Sequence, residues 1–111
     1  MNSRNGRAIL AAVVFALLAA GAPLLHADDA AKATYDKKCA NCHGPDGSGN
    51  TAMGKKFAVR DLGSPDVQKQ SDSELTDYVV KGKKQMPPYG SSLKPDDIKG
   101  LVAYIRTFAK K

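Results

Sequence analysis

Two cysteines and a histidine stand close together in the first half of the chain. Cys39, Cys42 and His43 form the pattern C-x-x-C-H, which is used for covalent attachment of a c-type haem. Each thiol can add to one vinyl group of the porphyrin. The histidine that follows then lies against one face of the ring, where it can ligate the iron. The pattern predicts one haem c held through Cys39 and Cys42, with His43 as the proximal iron ligand.

Three other uses of a C-x-x-C pair fit this sequence less well. A disulfide between Cys39 and Cys42 would close a very short loop and would constrain the chain little. A thioredoxin-like redox pair belongs in a β-α-β setting, and the sequence contains no convincing strand. A structural zinc site usually needs four ligands, whereas Cys39, Cys42 and His43 are all the cysteine and histidine found after residue 27. Haem attachment is the interpretation that uses all three.

A methionine is the candidate ligand for the opposite face of the haem. Met86 begins the stretch Met-Pro-Pro-Tyr-Gly, in which two prolines prevent a helix and hold the backbone extended. Methionine more often fills gaps in a core, but Met86 is flanked by polar and loop residues. Its thioether suits haem iron, and Met/His ligation raises the haem potential. Met53 follows His43 too closely to reach the far face easily, so we favour Met86 as the distal ligand.

The first 27 residues have the layout of a secretory signal peptide. Arg4 and Arg7 precede an unbroken apolar run over residues 8–20, and Leu25-His26-Ala27 resembles a small-residue cleavage site. The apolar run is short for a membrane span, which needs about 20 apolar residues, so cleavage is favoured over an uncleaved anchor. We therefore expect a cleaved leader at 1–27, a single domain at 28–111, and a periplasmic location.

Three helices are predicted to position the candidate ligands. The first covers residues 28–40, with acidic residues at its start and lysines near its end, as the helix dipole favours. The second covers 71–81 and begins with a capping box between Ser71 and Glu74. The third covers 95–109, with a proline at its first position and an apolar stripe at helical spacing.

The stretch between the first two helices is harder to interpret. Residues 44–50 are rich in glycine and predict a loop, whereas residues 51–70 show no clear periodicity. Lys55, Lys56 and Arg60 are candidate partners for the haem propionates, and Arg60 suits a carboxylate best because its guanidinium can bind in a bidentate manner. A chain this small has a thin core, and a haem would supply the large apolar centre that it lacks.

Together these features resemble the small class I, single-haem bacterial cytochromes c of the c6, c-553 or c-555 kind. The resemblance covers residues 28–111 and is carried by the C-x-x-C-H motif, the Gln85-Met86-Pro87-Pro88-Tyr89-Gly90 segment and the helix Leu101-Val102-Ala103-Tyr104-Ile105-Arg106. It implies an all-α fold in which three to four main helices wrap around one covalent haem and the terminal helices cross. It also implies thioethers at Cys39 and Cys42, His43 and Met86 as iron ligands, and contacts of Ala31 and Tyr35 with Leu101 and Tyr104.

The same resemblance implies a function. It predicts a soluble, monomeric electron carrier, not an enzyme, that shuttles one electron between larger redox proteins or membrane electron-transfer complexes. The alternative is a small haem c enzyme or gas-sensing module, which would need a labile sixth ligand. A net charge of +6 is modest for nucleic-acid binding, and export argues further against it. Five lysines close to the ligand segments predict an acidic docking face on the partner: Lys37, Lys38, Lys81, Lys83 and Lys84.

Overall fold

The computed structural model describes residues 27–110, and their regular secondary structure is helical. The helices are α1 (Ala27–Lys38), α2 (Ala40–His43), α3 (Ala52–Lys56), α4 (Pro65–Gln68), α5 (Asp72–Lys81) and α6 (Pro95–Arg106). Within the described range the only β-type pairing is an isolated bridge between Lys83 and Met86. The all-α prediction is confirmed, and residues 27–110 contain three long helices and three short ones.

The N-terminal leader expected at 1–27 falls, apart from the Ala27 backbone, outside the described residues. No helix between residues 27 and 110 is both long and apolar enough to cross a membrane.

The long helices begin where their capping residues predict. Ser71 Oγ accepts a hydrogen bond from the Glu74 amide at 3.1 Å, and the Glu74 carboxylate accepts from the Ser71 amide at 2.9 Å. This capping box satisfies amides that the first turn of α5 leaves without partners. Pro95 occupies the first turn of α6, where a missing N–H costs nothing.

Two helices end earlier than the sequence predicts. α1 stops at Lys38 because Cys39 precedes a separate short helix, α2, which carries the rest of the C-x-x-C-H motif. α6 stops at Arg106, after which Thr107 Oγ1 donates to the Tyr104 carbonyl at 2.6 Å. That bond uses one of the carbonyls that a helix end leaves free.

The terminal helices cross at the centre of the core. Tyr35 of α1 and Leu101 of α6 are 0% and 1% exposed, and both belong to one apolar cluster. The Tyr35 ring centroid lies 5.1 Å from that of Tyr104, a spacing typical of tilted aromatic pairs. Ala31 is buried and faces Gly100, where an added Cβ would lie 3.4 Å from the Ala31 Cβ. The predicted crossing is confirmed, and Gly100 is a further contact that the sequence did not reveal.

Arg106 holds the end of the stretch for which the sequence shows no clear periodicity. Its guanidinium donates to the Gln68 carbonyl at 2.8 Å, to the Gln70 carbonyl at 2.6 Å and to Asp72 Oδ1 at 2.8 Å. Beneath it, a second apolar cluster joins α4 and α5 to α6. Residues 65–72 are therefore held mainly by contacts with α6, and these residues form one wall of the cavity described below.

Candidate functional site

A cavity of about 690 Å³ lies between α1, α5 and α6 and the loops that connect them. Its volume is in the range of cofactor and small-molecule sites. Cys39, His43 and Met86 all line it, whereas Met53, the rival methionine, does not. The fold therefore brings residues 43 positions apart in the sequence to one space, as the predicted ligand pair requires. Much of the wall is apolar and comes from the helices: Leu75, Val79, Leu101 and Ile105.

The two cysteines are free thiols, and both are half-buried. Burial raises the pKa of the Cys39 thiol to about 11, and the nearby Lys38 charge only partly opposes this. A thiol with such a pKa is protonated at neutral pH, unlike the reactive thiolate of a redox-active C-x-x-C pair. Cys39 opens directly onto the cavity. Its sulfur is therefore placed for attachment to a ring bound in the cavity.

The surroundings of His43 favour its neutral imidazole, the form that can bind a metal. Its ring lines the cavity, and burial lowers the pKa of His43, while the Arg60 main chain partly opposes the shift. Nδ1 is fully buried and has no partner that meets hydrogen-bond geometry within the described residues. Nε2 is then the nitrogen left to face the cavity. The Arg60 main chain is the candidate to orient the ring through Nδ1, the kind of support that metal-ligating histidines usually have.

Hydrogen bonds from other segments hold the backbone on both sides of His43. The buried Tyr35 hydroxyl donates to the Gly44 carbonyl at 2.6 Å, and the Gly49 amide donates to the His43 carbonyl at 2.7 Å. Thr51 Oγ1 donates to the Cys42 carbonyl at 2.7 Å and accepts from the amide of Gly54 at 2.8 Å. The sequence did not reveal these partners. The one local signal was Thr51, which caps the short helix α3 as an N-cap residue should.

The Met86 segment is a tight loop braced from both sides. The amides and carbonyls of Lys83 and Met86 bond each other at 3.0 and 3.1 Å, with Lys84 between them at φ 56°. A positive φ is unfavourable for a lysine, so surrounding contacts must hold this turn. Beyond the two prolines, the Tyr89 amide donates to the Val79 carbonyl at 2.9 Å. The loop therefore presents Met86 from a fixed backbone.

Positive charge gathers at the edge of the cavity. Arg60, Lys83 and Lys84 all line it and are exposed to solvent. The Lys83 ammonium lies 5.4 Å from the centroid of the Tyr78 ring, within cation–π range. Between residues 27 and 110, none of the three cations has a carboxylate within ion-pairing distance. An apolar cavity with unpaired cations at its rim suits a flat apolar ring that carries carboxylates at its edge.

The comparisons with known proteins agree with this geometry. The profile of the family described as cytochrome C oxidase, cbb3-type, subunit III matches residues 26–105. Among solved structures, the KustC0563 c-type cytochrome aligns with a TM-score of 0.67 and 30% identity, covering 72% of this chain and 98% of that one. A mutant of the same protein aligns at 0.65 and 29%, covering 70% and 96%. No curated protein matches the chain.

A third structure is related at the level of the fold. Cytochrome cL from the marine methylotrophic bacterium Methylophaga aminisulfidivorans MPT aligns with a TM-score of 0.58 and 22% identity, covering 73% of this chain and 52% of that one. At this identity the likeness concerns the fold alone.

Proposed function

The chain belongs to the c-type cytochrome family described as cytochrome C oxidase, cbb3-type, subunit III, and on this basis we propose that it is a soluble, monomeric, periplasmic carrier of single electrons. It has the class I cytochrome c fold, binds haem c covalently, and is an electron carrier rather than an enzyme. The observation that carries the finer proposal is the cavity shared by His43 and Met86.

We assign the four site residues as follows. Cys39 and Cys42 would hold the haem through thioethers, and His43, through Nε2, and Met86 would hold its iron. When bound, haem c supplies an iron that takes up or releases one electron. With both His43 and Met86 holding the iron, no position would be left for a substrate, and burial and the thioether would raise the potential. Because both ligands are anchored to braced backbone, electron transfer needs little rearrangement of the protein.

The cations at the rim have a separate role in this proposal. Arg60 is placed to pair with the haem propionates, because its guanidinium offers the bidentate geometry that carboxylates favour. Lys83 and Lys84 are then left to face a partner. Such pairing would hold the charged edge of the ring at the solvent side of the cavity. The apolar face of the ring would then lie against the helices.

Carbon monoxide distinguishes the carrier from a haem enzyme or gas sensor. The wild-type holo-protein, reduced at neutral pH, is expected to show no rapid spectral change with carbon monoxide, because both axial positions are filled. A redox titration with the ligand-field spectrum recorded alongside should show the thioether-to-iron absorption in the oxidised form. Rapid and complete carbon monoxide binding would instead support an open or labile sixth site.

We also propose that the lysines at the rim guide docking of an acidic redox partner. The double substitution Lys83→Glu/Lys84→Glu should slow reduction of hexacyanoferrate(III), an anion, by about tenfold at low salt and should speed reaction with a cationic cobalt complex. The effect should shrink as ionic strength rises. Stopped-flow kinetics with both reagents measure this.

Lys99→Glu is the control for that experiment, because Lys99 is exposed on α6 and does not line the cavity. A second charge reversal outside the cavity, at Lys69, matches the change in net charge. Equal effects of the rim and control substitutions would show that total charge matters and that the rim has no special role.

The periplasmic location rests on the leader predicted from the sequence. If residues 1–27 are a cleaved signal peptide, the holo-protein recovered from the periplasm should begin at Asp28. Its intact mass should equal that of residues 28–111 plus one haem. A mass that includes the leader would instead support an uncleaved membrane anchor.

A further inference from the structure

Tyr89 connects the two halves of the site. Its hydroxyl donates to the Lys38 carbonyl at 3.1 Å, at the last residue of α1 and directly before Cys39. Its ring is partly buried and packs against the same apolar cluster as Cys39 and Met86. One side chain thus joins the Met86 loop to the end of the helix that leads into the haem-attachment motif.

The other hydrogen bonds of the Met86 loop do not tie it to α1. Pro87 and Pro88 have no amide hydrogen to donate, so the backbone between Met86 and Tyr89 has no donor of its own. On one side of the prolines, the loop is held by the pairing of Lys83 with Met86, which is local. On the other side, the Tyr89 amide bonds the Val79 carbonyl of α5. Neither of these bonds reaches α1.

The carbonyl that Tyr89 uses is one that α1 leaves without a helical partner. The last four carbonyls of a helix have no amide to accept from within the helix. The next amide, that of Cys39, donates to the Tyr35 carbonyl and closes the final turn. The Tyr89 hydroxyl therefore gives the Lys38 carbonyl a partner and ties the Met86 loop to it.

We propose that Tyr89 is a positioning residue that controls how readily Met86 leaves the haem iron. The inference rests on the proposed function, in which Met86 is the distal ligand. The Tyr89 ring lines the cavity, but its hydroxyl is bonded to the Lys38 carbonyl and is not a candidate ligand. The hydroxyl restrains the loop, so that the thioether leaves the iron slowly.

Imidazole exchange on the oxidised holo-protein tests the proposal. At saturating imidazole, the rate of ligand replacement is set by the departure of Met86. Tyr89→Phe keeps the packed ring and removes only the hydroxyl, so the saturated rate should rise about two- to tenfold, the range expected for one lost hydrogen bond. Amide hydrogen exchange at Tyr89 and Gly90 in the reduced protein should also become faster.

Tyr104→Phe is the matched control, since it removes the hydroxyl of a core tyrosine that has no hydrogen bond from that group to any residue in 27–110 and does not line the cavity. It should leave both the saturated imidazole rate and the exchange at Tyr89 and Gly90 unchanged. An unchanged rate in Tyr89→Phe, or an equal rise in Tyr104→Phe, would overturn the positioning role.

Met86→Ala separates this inference from the proposed function. If Met86 is the ligand, this variant should bind imidazole without a rate-limiting opening step. Should Met86→Ala open the site while Tyr89→Phe behaves as wild type, only the role of Tyr89 fails. Should Met86→Ala behave as wild type, the ligand assignment itself fails.

Discussion

Replacing Met86 with alanine is expected to give a reduced protein that binds carbon monoxide rapidly at neutral pH. Alanine carries only a methyl group and cannot reach across the cavity that Met86 and His43 both line. The sixth position would then be open while Cys39, Cys42 and His43 still hold the haem. The thioether-to-iron absorption of the oxidised form should vanish at the same time.

The same substitution should lower the reduction potential. Met/His ligation raises the potential of a haem, and axial ligands are among the strongest controls on it, so a fall on the order of 0.1 V or more is expected. Spectroelectrochemical titration of the wild-type and variant holo-proteins measures the difference.

Met53→Ala is the matched control for both measurements. Met53 is a half-buried residue of α3 and does not line the cavity, so its loss should leave the ligand-field spectrum and carbon monoxide binding as in the wild type. An open site in Met53→Ala, or a closed one in Met86→Ala, would reverse the assignment of the distal ligand.

The parts of the fold that the sequence predicted are those with local causes. The start of α5 follows from the capping box of Ser71 and Glu74, and the start of α6 from Pro95 and its acidic first turn. The stripe on α6 predicted burial of Leu101, which is confirmed. The Met-Pro-Pro stretch predicted a braced loop because proline acts through its own ring, whatever surrounds it.

The parts that it missed depend on contacts between distant segments. The helices α3 and α4 have five and four residues, too short to be stable alone. They form because Thr51 and Ser64 cap them, because α3 packs against α2, and because Val67 of α4 packs against α6. Ala58 lines the cavity with its backbone at φ 50°, a conformation that is unfavourable for alanine in an isolated chain. No periodic pattern in residues 51–70 could have shown either feature.

The same distinction between local causes and contacts between distant segments applies to the candidate site. The types and spacing of Cys39, Cys42, His43 and Met86 indicate haem binding. The fold brings three of them, Cys39, His43 and Met86, to one cavity. What supports them is mainly the backbone: carbonyls of Gly44, Cys42 and Lys38 that accept from side-chain hydroxyls. Every residue has a backbone carbonyl, so the sequence does not show which carbonyls accept these hydrogen bonds.

Gly54→Ala is expected to destabilise the protein strongly. An added Cβ would lie 2.5 Å from the Cys42 carbonyl oxygen and would also collide with the carbonyl oxygen of Gly49. Both obstacles are backbone and cannot rotate away. Relief would require α3 to move from α2, which would break the bonds that Thr51 makes to Cys42 and Gly54. We expect a loss of about 3 kcal/mol or more in the free energy of unfolding.

Gly100→Ala makes the same chemical change in a different setting. There the added Cβ would meet only the Ala31 Cβ, at 3.4 Å, and alanine is favoured over glycine inside a helix by about 1 kcal/mol. The small contact cost and the helix gain should nearly cancel, leaving stability within about 1 kcal/mol of the wild type. Urea unfolding of the three holo-proteins compares them, and intact mass gives the fraction of each that carries haem. If Gly54→Ala kept wild-type stability and haem content, the close packing of α3 against α2 would not be needed to position His43.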